Sequence, residues 1–358
     1  RDAQESRGLG DVYKRQILWI IPFVLTFLPL NTFGFGYDAD AKSKSIRLDS
    51  TVNALAEEKY VCLSASDGWG RILSGWEKQQ ELERLADSKT LSELADKHSS
   101  ATVRVASFML LVRRNKKLCV PLMFAHLRDT AEVGAQAYDV VHSCETVANA
   151  MVSLVTGHDM AEERKLLTGQ EAVTLDSILI FVPQMSHIDR QRTVMQKLPA
   201  DEKYYDRLVE MYEQEKIMEA LPVIAKFRKS SDKARIIAAL NQYPVSKGID
   251  EYGFESYIFS DYLIAALNAV AVWPDADFLP LLKDVKDYDV ANPLGNYVRY
   301  ESLYAALMAY SDRETYCMID ETLALKILGH TSAFQRAFDK NPNPLYAPLV
   351  DKYCYAFY

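Results

Sequence analysis

The sequence predicts an all-α chain, an α-solenoid of stacked helix pairs with an irregular or inserted segment in the middle. Three observations predict it. Apolar residues recur at helical spacing from about Leu85 almost to the C-terminal end. A pattern of apolar helix, polar turn and a proline heading the next apolar helix occurs four times. The last two copies lie 68 residues apart with an intermediate copy 37 residues after the first of them, and a period in the high thirties is the length of a two-helix repeat unit.

Residues 1–16, RDAQESRGLGDVYKRQ, show no apolar periodicity, and DVYKRQ is the in-frame translation of GATGTGTATAAGAGACAG, the transposon end used in sequencing-library preparation. They are read as adapter and kept out of the fold argument. Residues 17–36 follow as a signal peptide. Ile17 to Leu30 is an uncharged apolar run broken by Pro22 and Pro29, with turn-prone NTFGFG after it. A spanning helix needs about 20 apolar residues, so export with cleavage is expected, to the periplasm or medium, with membrane contact only through that signal. No cysteine follows the run until Cys62, which excludes a lipid-anchor reading.

Residues 1–36 hold four basic and three acidic side chains, so the net charge of −8 becomes −9 for the remainder. An acidic chain lacks the basic stripe that nucleic-acid binding needs, and it gains nothing from anionic lipid. The five cysteines, Cys62, Cys119, Cys144, Cys317 and Cys354, form no close pairs. They do not make a disulfide scaffold; those in apolar stretches read as buried thiols.

Residues 37–85 are polar, with SDGWGRILSGW inside, and are expected to form a cap or lead-in. The first repeats are assigned to 86–129 and the later ones to 191–358. LCVPLMFAHL, EALPVIAKF, DFLPLLKDV and LYAPLVDKY place Pro121, Pro222, Pro280 and Pro348 at equivalent points. Proline is favoured in a helix's first turn, where its missing N–H has no partner to lose, so each should mark a helix start. Pro274 and Pro280 map onto Pro342 and Pro348 with one offset of 68, and Trp273 maps onto Tyr310 at 37. ATVRVASFMLL, KARIIAAL and YVRYESLYAAL each carry an early arginine, Arg104, Arg235 and Arg299, in a helix rich in small residues. Ala106, Ala265, Ala266, Ala305 and Ala306 are read as packing residues that let helices approach.

At these residues the chain resembles a HEAT repeat. It is similar to exported bacterial HEAT-like (armadillo-type) helical repeat proteins of unassigned function, through HSSATVRVASFMLL, HLRDTAEV, LTGQEAVTLDSILIF, LPADEKYYDRLVEMYEQEKIMEALPVIAKF and WPDADFLPLL in that order. The likeness covers most of 86–358. Between Thr130 and Arg190 the pattern lapses, and 130–190 is assigned as the irregular or inserted segment.

Potential ligands gather around that lapse: His126 and Asp129, then Asp139, His142, Cys144 and Glu145, then His158 and Asp159. Imidazole, thiolate and carboxylate together suit a transition metal, and a metal-dependent hydrolase on His126, Asp129, His142, Cys144 and His158 is the alternative function. The spacing has no HExxH and no CxxC pair, and His126 with Asp129 is also what a helix end produces. No phosphate loop, GxSxG elbow or dinucleotide fingerprint is present, and no cofactor is expected. Tyrosines crowd the C-terminal half. DEYGFESYIFSDY reads as a loop before a helix, and Tyr252, Phe254, Tyr257 and Tyr262 are the candidate contact residues for a protein, peptide or glycan partner. Tyrosines elsewhere are read as half-buried packing residues. The run 200–219 is read as a solvated helix with Lys203–Asp206 and Glu213–Lys216 pairs. The leading expectation is an exported, non-catalytic scaffold that binds a partner on the concave face of its helix stack.

Overall fold

The computed structural model describes residues 37–157, 166–242, 247–249, 255–257, 261–293 and 297–354. The chain divides into two compact units, residues 1–50 and 51–358. It is all-α, with two small sheets among the helices.

The polar stretch 37–85 folds as helix α1 (Tyr37–Ala56), strand β1 (Tyr60–Cys62) and helix α2 (Ser74–Leu85). Late in α1, Val52 and Leu55 are buried, which gives its last turns an apolar anchor. Helices α3 (Ser88–Lys97), α4 (Ala101–Arg114) and α5 (Lys116–Ala125) follow. Asp87 caps α3 through the Thr90 N–H at 2.8 Å, and Ser100 caps α4 through Val103. Such caps satisfy N–H groups that the first turn leaves without a carbonyl. Pro121 does not open its helix as the repeat pattern predicts: α5 starts at Lys116 and holds Pro121 in its interior, on the exposed side. Asn115, which ends α4 with a non-helical backbone, sets that earlier start.

Within 130–190 the chain builds strands β2 (Glu132–Ala137) and β3 (Val140–Thr146), then helices α6 (Val147–Thr156) and α7 (Gly169–Phe181). β1 joins β2 in parallel and β3 joins it antiparallel, with a register shift between Val133 and Ala135. Gly134 is required there, because a Cβ would stand 2.4 Å from the Tyr60 ring. The outer edge of β1 is closed by the buried Gln79 of α2, whose amide accepts from the Cys62 N–H at 2.7 Å and donates to the Cys62 carbonyl at 3.0 Å. Thr146 caps α6, and Thr168 with Glu171 forms a reciprocal box at the start of α7.

The remaining helices are α8 (Arg190–Gln196), α9 (Glu202–Glu213), α10 (Ala220–Ala225), α11 (Ser230–Leu240), α12 (Asp261–Val272), α13 (Leu279–Ala291), α14 (Tyr297–Met308), α15 (Arg313–Ala324), α16 (His330–Lys340) and α17 (Ala347–Tyr353). Strands β4 (Lys247–Ile249) and β5 (Glu255–Tyr257) pair antiparallel ahead of α12. Helices α8, α10, α12, α14 and α16 form a row in which each packs on the next of the set, and α9, α11, α13 and α15 each pack on a member of that row. Pro280 and Pro348 stand in the first turns of α13 and α17, and Pro222 is the third residue of α10. Ala265, Ala266 and Ala306 are buried where α12 and α14 meet their neighbours, so small side chains set the close approach.

The three aligned arginines each tie their helix to another element. Arg104 pairs with Asp129 at 3.0 Å, Arg235 of α11 with Glu213 of α9 at 2.6 Å, and Arg299 of α14 with Asp289 of α13. The charge pairs expected within 200–219 do not form. α9 ends at Glu213 and Lys216 takes φ +60°, so helical spacing is lost; Glu213 turns to Arg235 and Lys203 to Asp201. Nor is α9 solvated all round, since Arg207, Leu208, Met211 and Tyr212 are buried.

Candidate functional site

One face of the helix row carries a groove of about 410 Å³. Asp261, Ile264, Ala265, Asn268 and Val272 form its α12 wall, spaced by three and four residues and therefore on one side of that helix. Ala305 of α14 and Ala337 of α16 keep the floor low, and Pro222 closes it at α10. Gln196, Asn268 and Asn341 bring side-chain amides to this groove, and none of the three amides hydrogen-bonds to a described residue. A mid-helix asparagine without a partner is poorly suited to its own helix, since it is a weak helix former and its amide gains nothing there.

Charge along the groove is uneven. At one end Glu301 is met by Lys340 at 2.5 Å and Arg336 at 2.9 Å. Burial pushes its carboxyl up, but the two cations together hold it below the usual carboxylate range. Glu219 is paired with Arg192 at 3.1 Å. Asp261, in the first turn of α12, is exposed and has no ion pair among the described residues.

The candidate contact residues are only partly placed by the structure. Tyr252 and Phe254 lie outside the described residues, and Tyr257 is in β5, opposite Lys247. Tyr262 is half-buried, edge-on to Tyr212 at 6.3 Å. Asn268, the central amide of the groove, is marked in the sequence as the one amide in the apolar run YLIAALNAVAV.

Of the proposed metal ligands, His126 sits between two carboxylates. Its Nδ1 is 3.3 Å from Asp129 and its Nε2 is 3.2 Å from Asp96. Asp129 also accepts from Arg104 and from the Ala131 N–H. With the imidazole ring between them, the carboxylates cannot converge with it on one ion, as a tetrahedral site requires. His142 and Cys144 fall in β3, with His142 opposite Ala135, and His158 lies outside the described residues. No group of three His, Cys, Asp or Glu suited to a metal occurs among the described residues.

Beside that cluster, the sheet packs over α4 and α6 and leaves an apolar pocket of about 150 Å³. Val61 and Val133 line it from the sheet, Val105 and Met109 from α4, and Ala150 and Leu154 from α6. Arg113 and Glu145 are its charged groups.

The deepest polar cluster surrounds Arg299 and Asp289, both about 1% exposed. Burial pushes the Asp289 carboxyl up to about 7, against the pull of Arg299. His330 stacks on Tyr300 at 4.0 Å and bonds through Nδ1 to the Tyr304 hydroxyl at 2.8 Å. Burial, with the nearby Arg299 charge, holds its imidazole down to about 4. These groups lie on α13, α14 and α16 and are buried in the core.

Compared with protein-family models, with curated proteins and with solved structures, the chain matches none.

Proposed function

We propose that this protein is a non-catalytic helical scaffold that binds an extended segment of a partner protein in the groove along α8, α10, α12, α14 and α16. The observation that carries this reading is the set of amide residues Gln196, Asn268 and Asn341, which line the groove and whose side chains hydrogen-bond to no described residue. A carboxamide offers a donor and an acceptor together, which is what an extended main chain presents in turn. The alanine floor admits a backbone closely, and Asp261, without an ion pair among the described residues, suits a basic side chain on the segment. The alternation of a packed row with flanking helices is compatible with an α-solenoid, a class whose repeated faces offer extended binding surfaces. The apolar run Ile17 to Leu30 supports an exported site of action.

Selection of random peptides on the full chain tests the reading. Enriched peptides should bind the wild-type protein and lose about tenfold or more in affinity with Asn268→Ala or Asp261→Lys, at unchanged thermal stability. Peptides indifferent to both substitutions would refute the groove as the binding site. Failure to enrich any peptide would refute recognition of an extended segment.

A further inference from the structure

The apolar pocket beneath the three-stranded sheet has the composition of a small-ligand site, independent of the groove. Its walls are side chains almost withdrawn from water: Val61 is 2% exposed, Val105 5%, Met109 6% and Val133 5%. Protein interiors are otherwise filled to crystal-like density, so space of about 150 Å³ against such walls is room for an apolar body the size of a benzene ring or a short alkyl chain.

One cation stands at this pocket. Arg113 lines it, is exposed, and makes no ion pair or hydrogen bond with any described residue. Its neighbour Arg114 behaves differently, donating to the carbonyls of Ala86 and Glu83. The pocket's acid, Glu145 of β3, is partnered by the Asn149 amide at 3.4 Å. A free guanidinium beside an apolar recess selects an anion attached to an apolar body, and guanidinium matches carboxylate through paired N–H groups. Glu145 of β3 repels any anion here, and a dianionic phosphate more strongly than a monocarboxylate.

We propose that this pocket binds a small monocarboxylic acid with a short alkyl or aryl body, the body lodged against Val105, Met109, Val133 and Leu154 and the carboxylate held by Arg113. Calorimetric titration of the full chain with hexanoate and phenylacetate, beside the uncharged hexanol and 2-phenylethanol, tests it. Each acid should bind saturably at one site, about tenfold tighter than the matching alcohol. Arg113→Gln should erase that preference while the alcohol binds as before. Ala150→Leu should abolish binding of both by filling the recess; if it lowers thermal stability, Ser153→Leu on the same helix takes its place. The proposal is overturned by no saturable binding of either acid, by equal affinity for acid and alcohol, by a preference that survives Arg113→Gln, or by binding unchanged by the filling substitution. A lengthening series to dodecanoate separates a free short acid from the acyl tail of a lipid. Affinity that levels off once the recess is full supports the proposal, and a steady rise to the longest chain overturns it.

Discussion

Replacing His330 should change how the protein's stability responds to acid, by an amount that follows from its surroundings. The imidazole is about 1% exposed, and its pKa is held down to about 4 from an ordinary 6.5. Between those values the unfolded chain binds a proton that the folded chain refuses, so acidification pulls the equilibrium toward unfolding. The stabilisation is complete above pH 6.5 and is lost as the pH falls toward 4. With the imidazole moved from 6.5 to about 4, lowering the pH from 7 to 4.5 costs about 2 kcal/mol through this one group. In His330→Phe the ring keeps its stacking on Tyr300 but has no proton to bind. Asp289 titrates in both proteins, because its upward shift comes from burial, opposed by Arg299, and the substitution touches neither. Urea unfolding of both proteins at pH 7 and 4.5 measures the effect. The variant should gain on the wild type by about 2 kcal/mol at the lower pH. If the gap between the two proteins is the same at both pH values, within about 0.5 kcal/mol, the argument from burial is wrong.

Three further outcomes are expected. Asp129→Ala leaves the 11% exposed Arg104 side chain without its carboxylate, and chemical denaturation should show a loss of about 3 kcal/mol. Gly134→Ala should cost about 1 to 3 kcal/mol by driving a methyl into the Tyr60 ring, and Tyr60→Ala in the same chain should recover most of it; a double-mutant cycle with no coupling would show the contact to be unimportant. In native protein at neutral pH a maleimide should label exposed Cys317 well before Cys119, whose buried thiol is pushed up to about 11; peptide mapping reads the order.

Much of the helical organisation was legible from local chemistry. Pro280 and Pro348 marked the helix starts because a first turn tolerates a missing N–H, and that rule needs no tertiary information. Pro121 misled for the complementary reason: nothing local to LCVPLM reveals that Asn115 has already restarted the helix. Arg104, Arg235 and Arg299 were found as a pattern, but their partners Asp129, Glu213 and Asp289 stand at unequal separations in sequence, which only the packed structure supplies. The hairpin within 130–190 is absent from the sequence reading. EVGAQA and VVHSCE are short and weakly alternating, and β2 depends on β1, more than 60 residues earlier, for its parallel partner. Groove and pocket were missed alike, because each assembles side chains from several elements, and the tyrosines read as half-buried packing residues include the fully buried Tyr300, Tyr304 and Tyr346.

The amide of Gln79 has a consequence for what this protein can become at high concentration. Strand-by-strand polymerisation needs two open sheet edges on every molecule, one to receive and one to offer. Here a side chain occupies the first edge as an additional strand would, matching both hydrogen bonds of Cys62. The sheet therefore has at most one open edge, so two molecules could join through it and growth would stop at the pair. Gln79→Ala would remove that terminator, and a protein that tolerates concentration would be expected to begin forming fibres.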